Sequence, residues 1–301
     1  MLRHRLATSA DLLLLHGEIA PKYGCDEFVH SKLGEFWTSL LESPAAVPLI
    51  VEDHSGSSPR LAAFRLLVAV KDEFADEMLM GRVRPPAGEA LVRRWLEGRS
   101  GVLTPVELKL ANRGEGVRLL TAHIWEAVPK EIPRLYCDIC QSQTEGMNQY
   151  LKGAKIVELI EDACDAYHGE VNESIGYVKR AVFEDGSWIG SIKKSDAEAN
   201  WALVVASVFQ YRPPRLDLPQ SHREILRPAL EGMTDEEIAA ALFLSLSAVK
   251  KRWAAIYDHI SGKGIAAGLP PCEGKRGPER RRVLLEYLRW HPEELNPLAS
   301  H

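Results

Sequence analysis

Apolar and polar positions divide the 301-residue chain into two regimes. Up to about residue 211, short apolar runs alternate with stretches of helical period. Val47 to Glu52 and Arg60 to Val70 read as strands joined by the turn Asp53-His54-Ser55-Gly56-Ser57-Ser58-Pro59. Asp11 to Lys22, Phe28 to Glu42 and Glu89 to Glu97 repeat their apolar residues at helical spacing. Val106 to Ala111 alternates as a strand does, and Val117 to Ala127 after it reads as a helix. Leu135 to Ile139 is predicted as a short strand and Met147 to Tyr167 as a long amphipathic helix. Val178 to Phe183 and Trp201 to Phe209 close the region as strands. Strands interleaved with helices predict an α/β layer fold.

The second regime follows Tyr211-Arg212-Pro213-Pro214-Arg215-Leu216-Asp217-Leu218-Pro219, whose three prolines exclude a helix interior. The expected organisation is therefore an α/β domain over 1–211, a proline-rich linker over 212–220 and an all-α domain over 221–301. Ser221 to Glu231 forms a helix ended by Gly232. Thr234-Asp235-Glu236-Glu237 has the residues of a capping box and opens the next helix, whose acidic first turn suits the dipole. After the turn Phe243-Leu244-Ser245, Val249, Trp253, Ile256 and Ile260 fall on one inward helical stripe. Lys250, Lys251 and Arg252 lie mostly outside that stripe.

These residues carry a resemblance. Leu230 through Ala239, Leu242 through Trp253, Ile256-Tyr257 and the earlier Arg223-Glu224-Ile225-Leu226 are similar to the LuxR/NarL DNA-binding domain. The resemblance implies a helix-turn-helix whose second helix lies in the major groove of double-stranded DNA. It places Ser247, Val249, Lys250 and Lys251 near the DNA, with Arg252 completing the basic cluster. Three positions depart from the family: Ala248 stands in place of the usual threonine, Pro228 lies inside the first helix, and Gly262 to Gly277 separates the third helix from the fourth. The fourth helix, Glu279 to Trp290, has an apolar face of Leu284, Leu285, Tyr287 and Leu288. It either packs on its own domain or pairs a homodimer about a two-fold axis.

Charge changes the picture only locally. Of 37 basic and 42 acidic residues, 12 of each lie from Asp217 onward, so the net −5 belongs to the earlier part. Within the C-terminal part Asp235, Glu236 and Glu237 precede a basic stretch that includes Lys263, Lys275, Arg276 and Arg280 to Arg282. With 46% apolar and 26% charged residues, neither disorder nor a membrane span is expected. The start, Met1-Leu2-Arg3-His4-Arg5, is not followed by a signal-peptide core, because Asp11, Glu18 and Pro21 interrupt it. An odd count of five cysteines is no disulfide framework, and a cytoplasmic location is expected.

The α/β part carries weaker chemistry. Arg113, Gly114 and Gly116 sit between the predicted strand and helix, where backbone amides can approach a pyrophosphate. This loop and the order of elements resemble the GNAT acyltransferase fold, a mixed sheet with helices, which implies acetyl-CoA. Arg118 stands where that family has a glycine or alanine, and Glu107 is a lone carboxylate. The competing reading is a tight strand-to-helix turn. Cys137-x-x-Cys140 with Cys164 and His168 could supply four zinc ligands; packing is the alternative. His123 and the scattered tryptophans read as core. No aspartate is placed as a phosphorylation receiver requires, and no acyl-homoserine-lactone signature is present.

Together these readings predict a non-enzymatic, cytoplasmic, sequence-specific transcriptional regulator that needs no cofactor. Its expected partners are double-stranded DNA, a second copy, and a small-molecule or protein input to the α/β domain. The alternative is an acyl-CoA-dependent N-acyltransferase with accessory helices; a pure protein-interaction module is the third reading.

Overall fold

The computed structural model describes residues 1–8, 11, 15–17, 27–41, 43–127, 133–200, 205–263, 277–296 and 298. Seven strands form one sheet: β1 (Leu2–Leu6), β2 (Ala46–Asp53), β3 (Arg60–Val70), β4 (Val117–Glu126), β5 (Ile156–Ala163), β6 (Val178–Val182) and β7 (Trp188–Lys193). Their spatial order is β1-β2-β3-β4-β5-β7-β6. Every pairing is antiparallel except that of β4 with β5, which is parallel. The mixed sheet predicted for the α/β part is present, flanked by helices.

Helices cover both faces, which is why β3 reads as a nearly unbroken apolar run. Phe64 on β3 meets Trp37 of α1 (Glu27–Leu41), whereas its neighbour Arg65 reaches Met147 of α5 (Pro133–Tyr150). Successive strand residues point to opposite faces, so α1 and α5 lie on opposite sides of the sheet. Between β3 and β4 the chain inserts α2 (Asp72–Leu79), α3 (Ala87–Leu96) and α4 (Pro105–Arg113). Helix α3 packs against α1 and β4, on the α1 side.

Several elements differ from expectation. The segment predicted as a strand over Val106 to Ala111 is α4. Thr104 caps it through a full capping box with Glu107, and Pro105 takes the first turn, where a missing N–H costs nothing. The helix predicted over Val117 to Ala127 is β4, buried on both faces. Leu135 to Ile139 lies inside α5, not in a strand. The long helix predicted over Met147 to Tyr167 is three elements. Helix α5 ends at Tyr150, Gly153 takes φ +93°, and β5 precedes α6 (Ala166–Ile175). Helix α7 (Lys194–Ala199) follows β7. The strand predicted from Trp201 starts in residues outside the described set, and Ala206–Phe209 is a 3-10 turn. Most of the helix predicted at Asp11 to Lys22 also lies outside that set.

The C-terminal helices α8 (Gln220–Leu230), α9 (Asp235–Ala241), α10 (Leu246–Lys263) and α11 (Gly277–Trp290) surround a second apolar cluster. Leu216 and Leu218, expected in an extended linker, are fully buried in it. Pro228 is accommodated inside α8. Buried Glu294 accepts the backbone N–H groups of Arg215 and Leu216 (3.0 and 2.9 Å) and the Tyr287 hydroxyl (3.1 Å), fixing this segment to α11. Leu284 and Leu288 are buried within the same cluster. This face of α11 therefore packs on its own unit, the first of the two arrangements offered for it. The last described residue, Leu298, joins the first cluster, with its carbonyl accepting from Asn112.

Candidate functional site: a wedge between β4 and β5

The parallel pair at the sheet centre is incomplete. Strands β4 and β5 are in register from Val117 with Ile156 to Leu120 with Ile160, and no further. Both continue, each held by its outer neighbour: β4 pairs with β3 as far as Glu126, and β5 with β7 as far as Ala163. A wedge therefore opens in mid-sheet beyond Leu120. Ala122 is the extra residue of a β4 bulge, since Leu66 faces His123 while Leu67 faces Thr121. Bulges bend a strand, so this one lies where β4 leaves β5.

The floor of the wedge is polar: its carboxylate is well supplied with donors, while Arg65 Nε has no acceptor among the described residues. Glu161 Oε2 accepts from Thr121 Oγ1 (2.8 Å), Tyr177 OH (3.2 Å) and Arg65 Nη1 (3.2 Å). The carboxylate is buried with its cation, as a low-dielectric interior demands. Tyr136 near the start of α5 and Tyr167 near the start of α6 follow the far ends of β4 and β5, which sets them at the open side of the wedge, and their rings meet with centroids 5.7 Å apart.

On the α1 side, the start of α3 touches both arms. The Ala87 N–H donates to Asp162 Oδ2 of β5 at 2.5 Å, and Gly88 lies against the Ala122 carbonyl of β4. Burial pushes the Asp162 carboxyl up to about 6, against the lowering effect of the Ala87 bond. Burial also drives His123, beside Trp37 at 5.5 Å, down to about 3, so its imidazole is neutral at ordinary pH. His123 and the tryptophans Trp37, Trp125 and Trp188 are core residues, as the sequence suggests.

The sequence-predicted site residues lie elsewhere. Arg113 ends α4, Gly114 caps it, and Gly116 precedes β4. The order is helix–turn–strand, the reverse of a phosphate loop opening a helix. Gly116 has φ +115°, and a Cβ there would fall 2.4 Å from the Lys155 carbonyl, so its glycine serves a close backbone crossing. Arg118 pairs with Asp76 and Glu158 (2.6 and 3.2 Å). The β4–α5 connection, residues 128–132, is outside the described residues. Cys137 and Cys140 sit on α5, while Cys164 follows β5 and His168 Nδ1 lies 2.7 Å from Asp165. Among the described residues no three of the metal-ligating side chains gather, and burial raises the Cys140 thiol, opposing a thiolate ligand. Val249, assigned near DNA, is fully buried, and Arg252 is 3.2 Å from Glu224. Ser247, Lys250 and Lys251 are exposed. The wedge leaves no signal of its own in the sequence, because β4 and β5 carry the apolar pattern expected of helices.

No family model and no curated protein matches the sequence. Solved structures do. The C-terminal condensation domain of Ebony in complex with β-alanyl-dopamine is 12% identical, over 64% of this chain and 99% of that one, with a TM-score of 0.36. FeeM, an N-acyl amino acid synthase from uncultured soil microbes, is 11% identical over 65% and 94%, with a TM-score of 0.33. The Drosophila melanogaster polyamine N acetyltransferase is 10% identical over 64% and 100%, with a TM-score of 0.32. These findings correct the expectation of a non-enzymatic LuxR-family transcriptional regulator: the solved structures to which the chain is similar include an N-acyl amino acid synthase and a polyamine N acetyltransferase. No helix among the described residues is long and apolar enough to cross a membrane.

Proposed function

We propose that the chain is an acyl-thioester-dependent N-acyltransferase that holds the carrier arm of its acyl donor in the β4–β5 wedge. The observation that carries this reading is the parting of the two strands after Leu120 and Ile160, within an otherwise continuous sheet. The parted stretch leaves β4 without a strand partner on its β5 side. A pantetheine arm is an extended chain with two amides, and it can pair there as an added strand does. The β4 edge beyond Leu120 would hold the arm, with the buried Arg65–Glu161 pair on the α5 side of the sheet.

Asp162 stands level with the bulge. Its Oδ2 is taken by Ala87, which leaves Oδ1 for an incoming amine. A carboxylate titrating at about 6 is matched to removing an ammonium or amine proton near neutral pH. The amine nitrogen forms the new C–N bond at the thioester carbonyl, the C–S bond breaks, and the thiolate leaves with a proton. We assign Tyr167 at the mouth to donate that proton. The test is thiol release by the full chain from acetyl- and longer-chain acyl-CoA, with a panel of primary amines. Activity is expected to fall at least tenfold in Asp162→Asn and in Tyr167→Phe. Absence of both coenzyme A binding and thiol release in the wild type would sink the reading.

One observation favours a second reading, acyl-thioester binding without transfer. The start of α3 spans the wedge on the α1 side, against both Asp162 and Ala122. Tight coenzyme A binding with no thiol release on any amine would select that reading.

A further inference from the structure

A second cleft, of about 570 Å³, lies between β1 and the C-terminal end of α5 on one side and α8 and α11 on the other. It is remote from the wedge. Tyr136 marks the wedge mouth and Tyr150 lines the cleft, and fourteen residues of α5 separate them, about 21 Å at 1.5 Å per residue. The volume is that of a small-molecule site.

The cleft contains a cation that no carboxylate among the described residues pairs with. Arg227 of α8 donates from Nη2 to the Leu295 carbonyl at 2.7 Å, while its buried Nε has no acceptor. It forms no ion pair among the described residues; its one side-chain hydrogen bond goes to a backbone carbonyl. Burial, aided by neighbouring Arg223, lowers its guanidinium to about 10. Leaving a buried donor unsatisfied costs about 1–3 kcal/mol, more when charged, so such a group is expected to serve a ligand. Arg5 at the cleft edge is different: Asp11 (2.9 Å) and Glu52 (2.7 Å) already neutralise it.

The remaining charges set the ligand class. Lys152 and Arg289 line the cleft with Arg227, and none of the three is ion-paired among the described residues; Glu145 and Glu231 oppose them. Three cations against two carboxylates favour a monoanion over a phosphate dianion. Guanidinium geometry matches a carboxylate. The walls add an apolar and aromatic body: Tyr150, Leu288 and Trp290, the last 78% exposed.

We propose that this cleft binds a small organic monocarboxylate, its carboxylate on Arg227 and its apolar body against Trp290. Because the walls come from both apolar clusters, the ligand ties the helical unit to the sheet and stabilises their contact. Only a ligand for the folded pair does so, and its effect grows with concentration. The site is independent of the acyltransferase reading, and the two can fail separately.

The test is calorimetric titration of the full chain with hexanoate, 3-phenylpropanoate and indole-3-acetate, alongside their neutral amides and inorganic phosphate. At least one carboxylate should bind, its amide at least tenfold more weakly. The same carboxylate should raise the thermal midpoint and change tryptophan emission, the latter lost in Trp290→Phe. Arg227→Gln should weaken binding at least tenfold. Should that variant fail to fold, Lys152→Gln and Trp290→Ala, both at the rim, should each weaken binding severalfold. Failure of all three carboxylates to bind overturns the proposal. So does equal affinity for the amides, tighter binding of phosphate, or wild-type affinity in the folded variants.

Discussion

Gly88 and the Ala122 carbonyl are in contact so close that a Cβ on the glycine would stand 2.0 Å from that oxygen. The same Cβ would fall 2.8 Å from His123 Cε1. Helix α3 thus starts directly on the bulge of β4, and the preceding residue, Ala87, reaches across to Asp162 of β5. One turn of an inserted helix touches both strands where they part. The insertion between β3 and β4 is therefore structural to the wedge, not an appendage.

Gly88→Ala should destabilise the protein by about 1–3 kcal/mol, as overpacking does, because the obstructing atom is backbone and cannot swing aside. Equilibrium unfolding in urea measures this. The variant should also change coenzyme A affinity, since α3 must lift off the bulge. A wild-type midpoint would show that α3 does not rest on Ala122.

Asp162 gives a pH signature of opposite sign to an ordinary paired carboxylate. Its folded value, about 6, lies above the unfolded value of about 3.9. The fold then binds the extra proton, so this contribution to stability is present below about pH 4 and lost as pH rises through 6. The loss amounts to roughly 3 kcal/mol at most. Asp162→Asn cannot ionise and escapes it. Stability of the variant relative to wild type should therefore rise between pH 4 and 6 and level off above. A flat difference across that interval would falsify the assignment.

Much of the frame was legible. Strand β3 was predicted at its observed bounds and β2 within two residues of its own, because turn residues 53 to 59 punctuate the two apolar runs; α1 and α3 were placed within two residues by their helical period. The failures cluster around the wedge. Leu108 alternates with Val106 and Leu110 as in a strand, yet the last two are exposed on a helix; the signal that decides is Thr104-Pro105 followed by Glu107. Strand β4 lacks alternation because both its faces are buried, which looks like helix in an apolar run. Without β4 and β5 the parallel pair was invisible, and so was the site. Its key carboxylates, Glu161 and Asp162, owe their importance to tertiary partners such as Arg65, Tyr177 and Ala87, which no local pattern encodes.

The stripe on α10 makes a direct contrast. Val249 is fully buried, whereas Lys250 and Lys251 project into solvent. Val249→Ala should cost about 1–3 kcal/mol through the cavity it leaves, while Lys250→Ala and Lys251→Ala should each stay within about 0.5 kcal/mol of wild type. Thermal unfolding of the three variants side by side checks the pattern. Equal effects at all three positions would contradict the inward placement of Val249.

The sharpest stability test lies under the wedge. Arg65 and Glu161 form a buried pair at 3.2 Å, and Glu161 also receives Thr121 and Tyr177. Removing one member of such a pair strands the other charge, at about 3–5 kcal/mol. Glu161→Leu should therefore cost more than Tyr177→Phe, which removes one hydrogen bond to a charged group for about 1.5–3 kcal/mol. The double change Arg65→Met with Glu161→Leu should recover a large part of the single-variant loss, since it deletes the stranded guanidinium. The measurement is a double-mutant cycle by denaturant unfolding. Additive losses from the two single changes would mean that Arg65 and Glu161 do not act as a pair. Recovery of stability without recovery of coenzyme A binding would separate the two roles of the cluster: the ion pair can be replaced as a packing element, but the polar floor beneath the carrier arm cannot.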